Sequence, residues 1–162
     1  MICIQPKIGK KGMDELQAVL KSIRRITRAV DIHSRRTDRE AGLTLPQLIV
    51  LRCVGSLGEV TSRLISDEAD LSPATVVGIL DKLEGKGLIE RYRSKIDRRI
   101  VHTSLTDKGR IVLETAPSPL GTHFERAFGN LPRSERKQIG DVLSRIAEMM
   151  TTDIEGVIAD KA

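Results

Sequence analysis

Residues 71–93 read LSPATVVGILDKLEGKGLIERYR, and this stretch decides the fold. Ser72-Pro73 marks a helix start. Serine is a favoured N-cap because its hydroxyl accepts a hydrogen bond from an otherwise orphaned backbone N–H. Proline is favoured at the first helical position, where its missing N–H costs nothing. From there Val76, Ile79, Leu80 and Leu83 recur at spacings of three and four, which is one apolar stripe of a helix. Gly85 and Gly87 end it. The period then changes. Leu88 to Arg93 reads as a strand, Ser94 to Arg98 as a polar turn, and Arg99 to Leu105 as the returning strand of a hairpin.

Upstream, Thr44-Leu45-Pro46-Gln47 forms a capping box, with Thr44 as N-cap and Gln47 three residues on. The helix it opens runs through Leu48, Ile49, Leu51 and Val54 and is closed by Gly55 and Gly58. A short helix from Thr61 to Glu68 is expected to pack Leu64 and Ile65. The order over 44–105 is therefore helix, short helix, helix, hairpin, which is a helix-turn-helix followed by a wing. The second helix of such a pair can enter a major groove of DNA and present its N-terminal residues to base edges. Those residues are Ser72, Ala74, Thr75, Val77 and Gly78, with Lys82 further along. All are small or polar or lie off the apolar stripe. A mid-helix glycine costs about 1 kcal/mol relative to alanine, so Gly78 points to close approach of DNA, to crowding by another helix, or to simple tolerance of that cost. The hairpin region carries Lys86, Arg91, Arg93, Lys95, Arg98 and Arg99 against Glu90 and Asp97. A basic hairpin tip can reach phosphates or insert arginine into a minor groove.

Outside this centre the chain reads as helices. Residues 1–11 look like an arm with Pro6 and Gly9. Leu16, Val19, Leu20, Ile23, Ile26 and Val30 then form one helical face, ended by Gly42. After the hairpin, Thr106 caps a helix containing Ile111, Val112 and Leu113, and Pro117 and Pro119 break it. A segment with Phe124 and Phe128 follows. Pro132 opens a last helix carrying Ile139, Val142, Leu143, Ile146, Met149 and Met150, extending toward Ile154 and Val157. Amphipathic helices that leave a compact centre can bury their apolar faces against a second copy, and a two-fold dimer suits DNA. The expected fold is mainly α with a small β-hairpin: a winged helix-turn-helix whose N- and C-terminal helices form a dimerisation base. The organisation is an arm (1–11), a dimerisation helix (12–42), a DNA-binding domain (43–110) and C-terminal dimerisation helices (111–162). The interface candidates are Leu16, Leu20, Ile23, Val30, Phe124, Phe128, Val142, Ile146, Met149 and Met150.

Composition narrows the function class. The chain has 162 residues, no Trp, one Tyr and two Phe, so its core must be aliphatic. A formal charge of +5 and a pI near 9.5 modestly favour a polyanionic partner. The cysteines, Cys3 and Cys53, do not suggest a disulfide framework. No apolar run reaches the roughly 18 residues of a membrane helix, and MICIQPKIGKKG lacks a signal-like apolar region, so a cytoplasmic location is expected. No nucleophile elbow, P-loop or dinucleotide fingerprint points to an enzyme, and no cofactor is expected. His33, His102 and His123 fall in three different elements and make no metal-type pair. A redox sensor needs a low-pKa thiolate. Cys53 reads instead as a buried small hydrophobe, with Cys3 in the arm.

Four segments in order resemble the MarR family of winged-helix regulators: Leu71-Ser72-Pro73-Ala74-Thr75-Val76, Leu83-Glu84-Gly85-Lys86-Gly87-Leu88-Ile89-Glu90-Arg91, Asp97-Arg98-Arg99 and Ser104-Leu105-Thr106-Asp107-Lys108-Gly109. The resemblance spans about Met13 to Met150. It implies a homodimer with interlocking terminal helices that binds a pseudo-palindromic operator and usually represses. It implies that Asp97 orients an arginine, matched by Arg99, toward the minor groove. Family members often carry arginine where this chain has Gly78. The resemblance also implies an effector crevice between the dimer base and the DNA-binding lobe, for which His33 and Cys53 are candidates. The segment Arg24 to Arg35, with Gly42-Leu43-Thr44 and Pro46-Gln47-Leu48, further resembles the subgroup that controls ectoine and other compatible-solute genes. The alternatives are a ligand- or redox-responsive regulator of another stress or catabolic pathway, and a dimeric protein-interaction module that does not bind DNA.

Overall fold

The computed structural model describes residues 9–159, with side-chain surroundings through residue 152. Cys3 and the rest of the expected arm up to residue 8 lie outside the described residues, as do the side chains of Ile154 and Val157. The described residues form seven helices and one hairpin. Their order is α1 (Lys10–Ala41), α2 (Leu45–Leu57), α3 (Ser62–Ala69), α4 (Pro73–Gly85), β1 (Ile89–Arg93), β2 (Val101–Leu105), α5 (Asp107–Thr115), α6 (Thr122–Gly129) and α7 (Arg133–Ala159). They fall into two compact units, one ending at Gly121 and the other beginning at Thr122.

The core of the first unit is aliphatic apart from Cys53, and it is drawn from residues 43–89. Leu48, Val50, Leu51 and Val54 come from α2, Ile65 from α3, and Val76, Leu80 and Leu83 from α4; all are fully buried or within 1% of it. The apolar stripe read from the sequence of α4 is thus the stripe that packs. Thr44 caps α2 with the expected box, its backbone N–H donating to Gln47 Oε1 at 3.2 Å.

Three local expectations are corrected. α1 starts at Lys10, with Gly9 as N-cap, so Lys10 and Lys11 are helical rather than part of an arm. Gly55 does not close α2, which continues to Leu57 and ends at Gly58, whose φ is +79°. A Cβ on Gly55 would sit 2.5 Å from Leu113 Cδ2, so the glycine serves the close seating of α5. Leu64 is not packed: it is 47% exposed, while Ile65 and Ser66 are buried, because a two-turn helix presents only a narrow inner stripe.

The hairpin is antiparallel with Ile89 opposite Leu105 and Arg93 opposite Val101. Val60 adds a one-residue bridge to Thr103, its N–H donating to Thr103 O at 3.1 Å and its carbonyl accepting from Thr103 N–H at 2.7 Å. This bridge ties the start of α3 to the wing. Asp70 takes the left-handed conformation (φ +51°) that turns the chain from α3 toward α4. Ser66 pins that turn, its Oγ donating to Leu71 O at 2.5 Å and its own carbonyl accepting from Leu71 N–H at 3.1 Å.

α1 is 32 residues long and buries one residue, Thr37. In the second unit, the Phe124 and Phe128 rings stack on α6 with centroids 5.6 Å apart. No described side chain of α6 or α7 is buried.

Candidate nucleic-acid interface

The interface is best built from the caps of α4 outward. Ser72 caps the helix, its Oγ accepting from Thr75 N–H at 3.2 Å and pairing with Thr75 Oγ1 at 2.8 Å. Each hydroxyl has one donor and two acceptor sites. The pair therefore keeps a free O–H and free lone pairs after capping. Ser72, Ala74, Thr75, Val77, Gly78 and Lys82 are all exposed, and they lie off the buried stripe Val76, Ile79, Leu80 and Leu83. The helix therefore turns one face wholly inward and leaves a small, mostly polar face in solvent. A Cβ on Gly78 would meet nothing within 4 Å. Among the described residues, no neighbouring helix crowds this glycine.

The C-terminal end of α4 is tied down by cations, two of which, Lys86 and Arg91, the sequence places with the wing's charge. Lys86 Nζ donates to Gly42 O at 2.5 Å and to Gln47 Oε1 at 3.4 Å. Lys108 Nζ donates to Lys86 O at 2.8 Å. Ammonium groups at the carbonyl end of a helix complement its dipole. Thr106 Oγ1 donates to Gly87 O at 2.7 Å and accepts from Gly109 N–H at 3.0 Å. Arg91 donates to Asp81 Oδ1 at 2.7 Å, to Glu84 Oε2 from Nε at 3.0 Å, and again to Glu84 from Nη2. The Arg91 guanidinium holds the Glu84 carboxyl below its ordinary pKa, and that carboxylate in turn pushes Arg91 up. Lys86 and Arg91 are thus structural ties between α4 and its neighbours, and they drop out of the free basic footprint.

The rest of the wing is organised as a presenting loop. Ser94 Oγ accepts from the N–H groups of Ile96 and Asp97 at 3.2 and 3.3 Å. Asp97 Oδ1 accepts from Arg99 N–H at 2.9 Å, so the acid fixes the backbone from which the Arg99 side chain leaves. Arg93 Nη1 donates to Arg98 O at 3.0 Å, bracing the same turn. Lys95, Arg98 and Arg99 are exposed. Ile96, which the sequence reading passed over, is 99% exposed at the tip. At the base of the wing, Tyr92 is pushed up to about 12, first by its hydrogen bond with Glu59, whose carboxylate disfavours a phenolate beside it.

Residues 43–101 match the model of the MarR family. The chain is 30% identical over 115 residues to the uncharacterized HTH-type transcriptional regulator YkoM of Bacillus subtilis, an overlap of 71% of this chain and 75% of that protein. The chain belongs to the MarR family. It is also 26% identical over 144 residues to the HTH-type transcriptional repressor MdtR of Bacillus subtilis, covering 88% of this chain and 93% of the relative. Among solved structures it resembles CouR from Rhodococcus jostii RHA1 bound to p-coumaroyl-CoA, at 25% identity and a TM-score of 0.65, over 83% of this chain and 93% of that one. The winged helix of this MarR-family chain is thus that of a DNA-binding transcriptional regulator rather than an enzyme. No helix among the described residues is long and apolar enough to cross a membrane.

The two effector-crevice candidates are not brought together by any described cavity. Cys53 lines a cavity of about 490 Å³ with Ile49, Arg52, Gly55, Ser56 and Leu113. Arg52 Nε is buried there without a hydrogen-bond partner. Burial pushes the Cys53 thiol up, with Glu68 adding to the effect. A thiol held protonated is a poor redox sensor. His33 lies elsewhere, its ring against Gly121, where a Cβ would come within 2.5 Å of its Cε1.

The positions expected at a dimer interface are largely solvent-facing. Leu16, Leu20, Phe124, Val142, Met149 and Met150 are exposed, and Ile23, Val30, Phe128 and Ile146 are half-buried.

Proposed function

We propose that this protein is a homodimeric repressor that binds a pseudo-palindromic operator. In each subunit α4 would lie in a major groove, with Ser72, Ala74, Thr75, Val77 and Gly78 against the bases and Lys82 on a phosphate. Arg93, Lys95, Arg98 and Arg99 would act from the wing, placed by Asp97. The observation that carries this reading is the division of α4 into a fully buried stripe and an exposed face of small and polar side chains. Repression is supported by the similarity to the repressor MdtR. The exposed apolar positions of α1, α6 and α7 support pairing with a second copy, because such faces are costly to leave in water. The resemblance of Arg24 to Arg35 to the compatible-solute subgroup favours osmotic-stress genes as targets.

An effector is proposed for the cavity beside Cys53. Its apolar walls and the unpartnered Arg52 Nε suit an apolar molecule with an anionic or carbonyl head. By loosening or tightening the first unit, such a ligand would shift the spacing of the two recognition helices, and fixed half-site spacing tolerates little misfit. The decisive experiment is to sequence the genomic DNA that the purified protein selects, then to titrate the selected site in gel shifts. An inverted repeat with half-sites one helical turn or a multiple apart is expected. Selection of no common sequence would overturn the reading.

A further inference from the structure

The wing ends on an apolar side chain that has no role in the reading above. Ile96 is 99% exposed, so no described residue covers it. It does not sit on a slack loop. Its N–H and that of Asp97 donate to Ser94 Oγ at 3.2 and 3.3 Å. Ser94 N–H donates to Ile100 O at 2.9 Å, and Ile100 N–H donates to Asp97 O at 3.0 Å. The backbone on both sides of the isoleucine is therefore pinned, and little conformational freedom is left to lose when a partner covers it. The setting is cationic. Arg93, Lys95, Arg98 and Arg99 flank Ile96 in the chain, are all exposed, and take part in no ion pair among the described residues. The acid of the turn, Asp97, has its Oδ1 engaged by Arg99 N–H at 2.9 Å. A partner that covers this tip must be anionic around an apolar lining. The minor groove of DNA has that chemistry, with phosphates along its rims and the C–H faces of deoxyribose as walls. Apolar wedges, isoleucine among them, enter it in minor-groove binders. Its floor differs between base pairs: A·T shows acceptors only, and G·C adds the guanine N2 amino donor. An isoleucine over that amino group buries a donor and gives it no acceptor, which is costly.

We infer that Ile96 is a specificity-determining residue, which packs into the minor groove beside each half-site and selects A·T over G·C there by rejecting the guanine amino group. The inference rests on the DNA-binding reading. It adds an apolar contact to the arginine contact implied for Arg99 from the same turn.

The test exchanges single base pairs of the selected operator at the minor-groove positions that hydroxyl-radical footprinting shows the wing to cover. Four pairs are compared at each position: A·T, G·C, inosine·C, which is G·C without the amino group, and 2,6-diaminopurine·T, which is A·T with it. Gel-shift titrations use wild type, Ile96→Ala and Arg99→Ala. Wild type is expected to bind A·T and inosine·C alike, and to bind G·C and diaminopurine·T at least about fivefold more weakly. Ile96→Ala should bind the A·T operator about tenfold more weakly and lose the discrimination. It should leave the slope of log affinity against log salt unchanged, because no charge is removed. Arg99→Ala should lower that slope and keep the discrimination. Equal binding of all four pairs by wild type would overturn the inference while leaving DNA binding intact, and so would discrimination of undiminished size in Ile96→Ala. Selection of no common sequence by wild type would instead overturn the DNA-binding reading itself. A thermal melt of Ile96→Ala that matches wild type separates lost contact from lost fold.

Discussion

Gly78 sits in the middle of α4 with open space where a Cβ would project. Replacing it with alanine should therefore raise stability by up to about 1 kcal/mol, the usual helix-propensity gain. The same methyl would stand on the face proposed to meet DNA. Gly78→Ala is expected to shift the urea midpoint upward and to weaken operator binding in gel shifts. A variant that is more stable and binds unchanged would remove close approach as the reason for this glycine. Gly109 makes the opposite case. A Cβ there would fall 1.9 Å from Leu88 O, a backbone atom that cannot swing away. Gly109→Ala should destabilise by roughly 1–3 kcal/mol or more as the start of α5 is forced off the wing. Urea denaturation followed by circular dichroism measures both glycine variants. The two residues look alike in the sequence, and only the packing separates them.

At the scale of elements, the basic residues of the wing divide into ties and contacts. Arg91 holds α4 to β1 through Asp81 and Glu84, whereas Arg99 leaves a turn whose backbone is fixed by Asp97. Arg91→Ala should lower thermal stability and leave the salt slope of DNA binding unaltered. Arg99→Ala should leave the melt in place and cost at least ~1 kcal/mol of operator affinity, the scale of a lost charge-assisted hydrogen bond. Gel-shift titrations beside thermal melts distinguish the two, and an exchange of these phenotypes would refute the division. The Glu84 tie also predicts a pH effect. Its carboxyl is held below the usual value by the Arg91 guanidinium, so its folded pKa is the lower one. Its stabilisation is complete above the unfolded carboxylate pKa and is lost as pH falls through the folded value. Wild type should exceed Glu84→Gln in urea midpoint at neutral pH, and the gap should close on acidification. A gap that is constant down to strongly acid pH would show that the charge of Glu84 is not what counts.

At the scale of the whole molecule, the buried apolar core among the described residues is drawn from residues 43–89. Met13, Leu16, Val19, Leu20, Ile26 and Ile32 of α1 remain exposed, as do Val142, Leu143, Met149 and Met150 of α7. Among the described residues these apolar positions are left outside the core of their own unit. Placing a charge among them should therefore leave the core folded and separate the subunits. Leu20→Glu is expected to run as a monomer in light scattering at micromolar concentration. It should bind the operator roughly a hundredfold more weakly, since two linked half-site contacts become one. A Leu20→Glu dimer with full affinity would exclude α1 from the proposed interface.

Residues 71–93 were legible because their signals are local. A Ser-Pro cap, a three-four apolar stripe and a change to strand period depend on neighbours within a few positions. The same locality explains why α4, the hairpin and the capping box of α2 stand where the sequence places them. What depended on distant neighbours was not legible. Gly55 looked like a helix end and is a seat for Leu113. Leu64 looked like core and faces solvent, because helix periodicity alone does not say how wide the buried stripe of a two-turn helix is. Lys86 and Arg91 looked like wing charge, yet their partners lie 44 and 10 residues away in the chain. Local signals place a capped helix ahead of a basic hairpin. Which of the basic side chains stay free to meet a phosphate is set by tertiary packing, because that depends on which acids and carbonyls folding brings within hydrogen-bond reach.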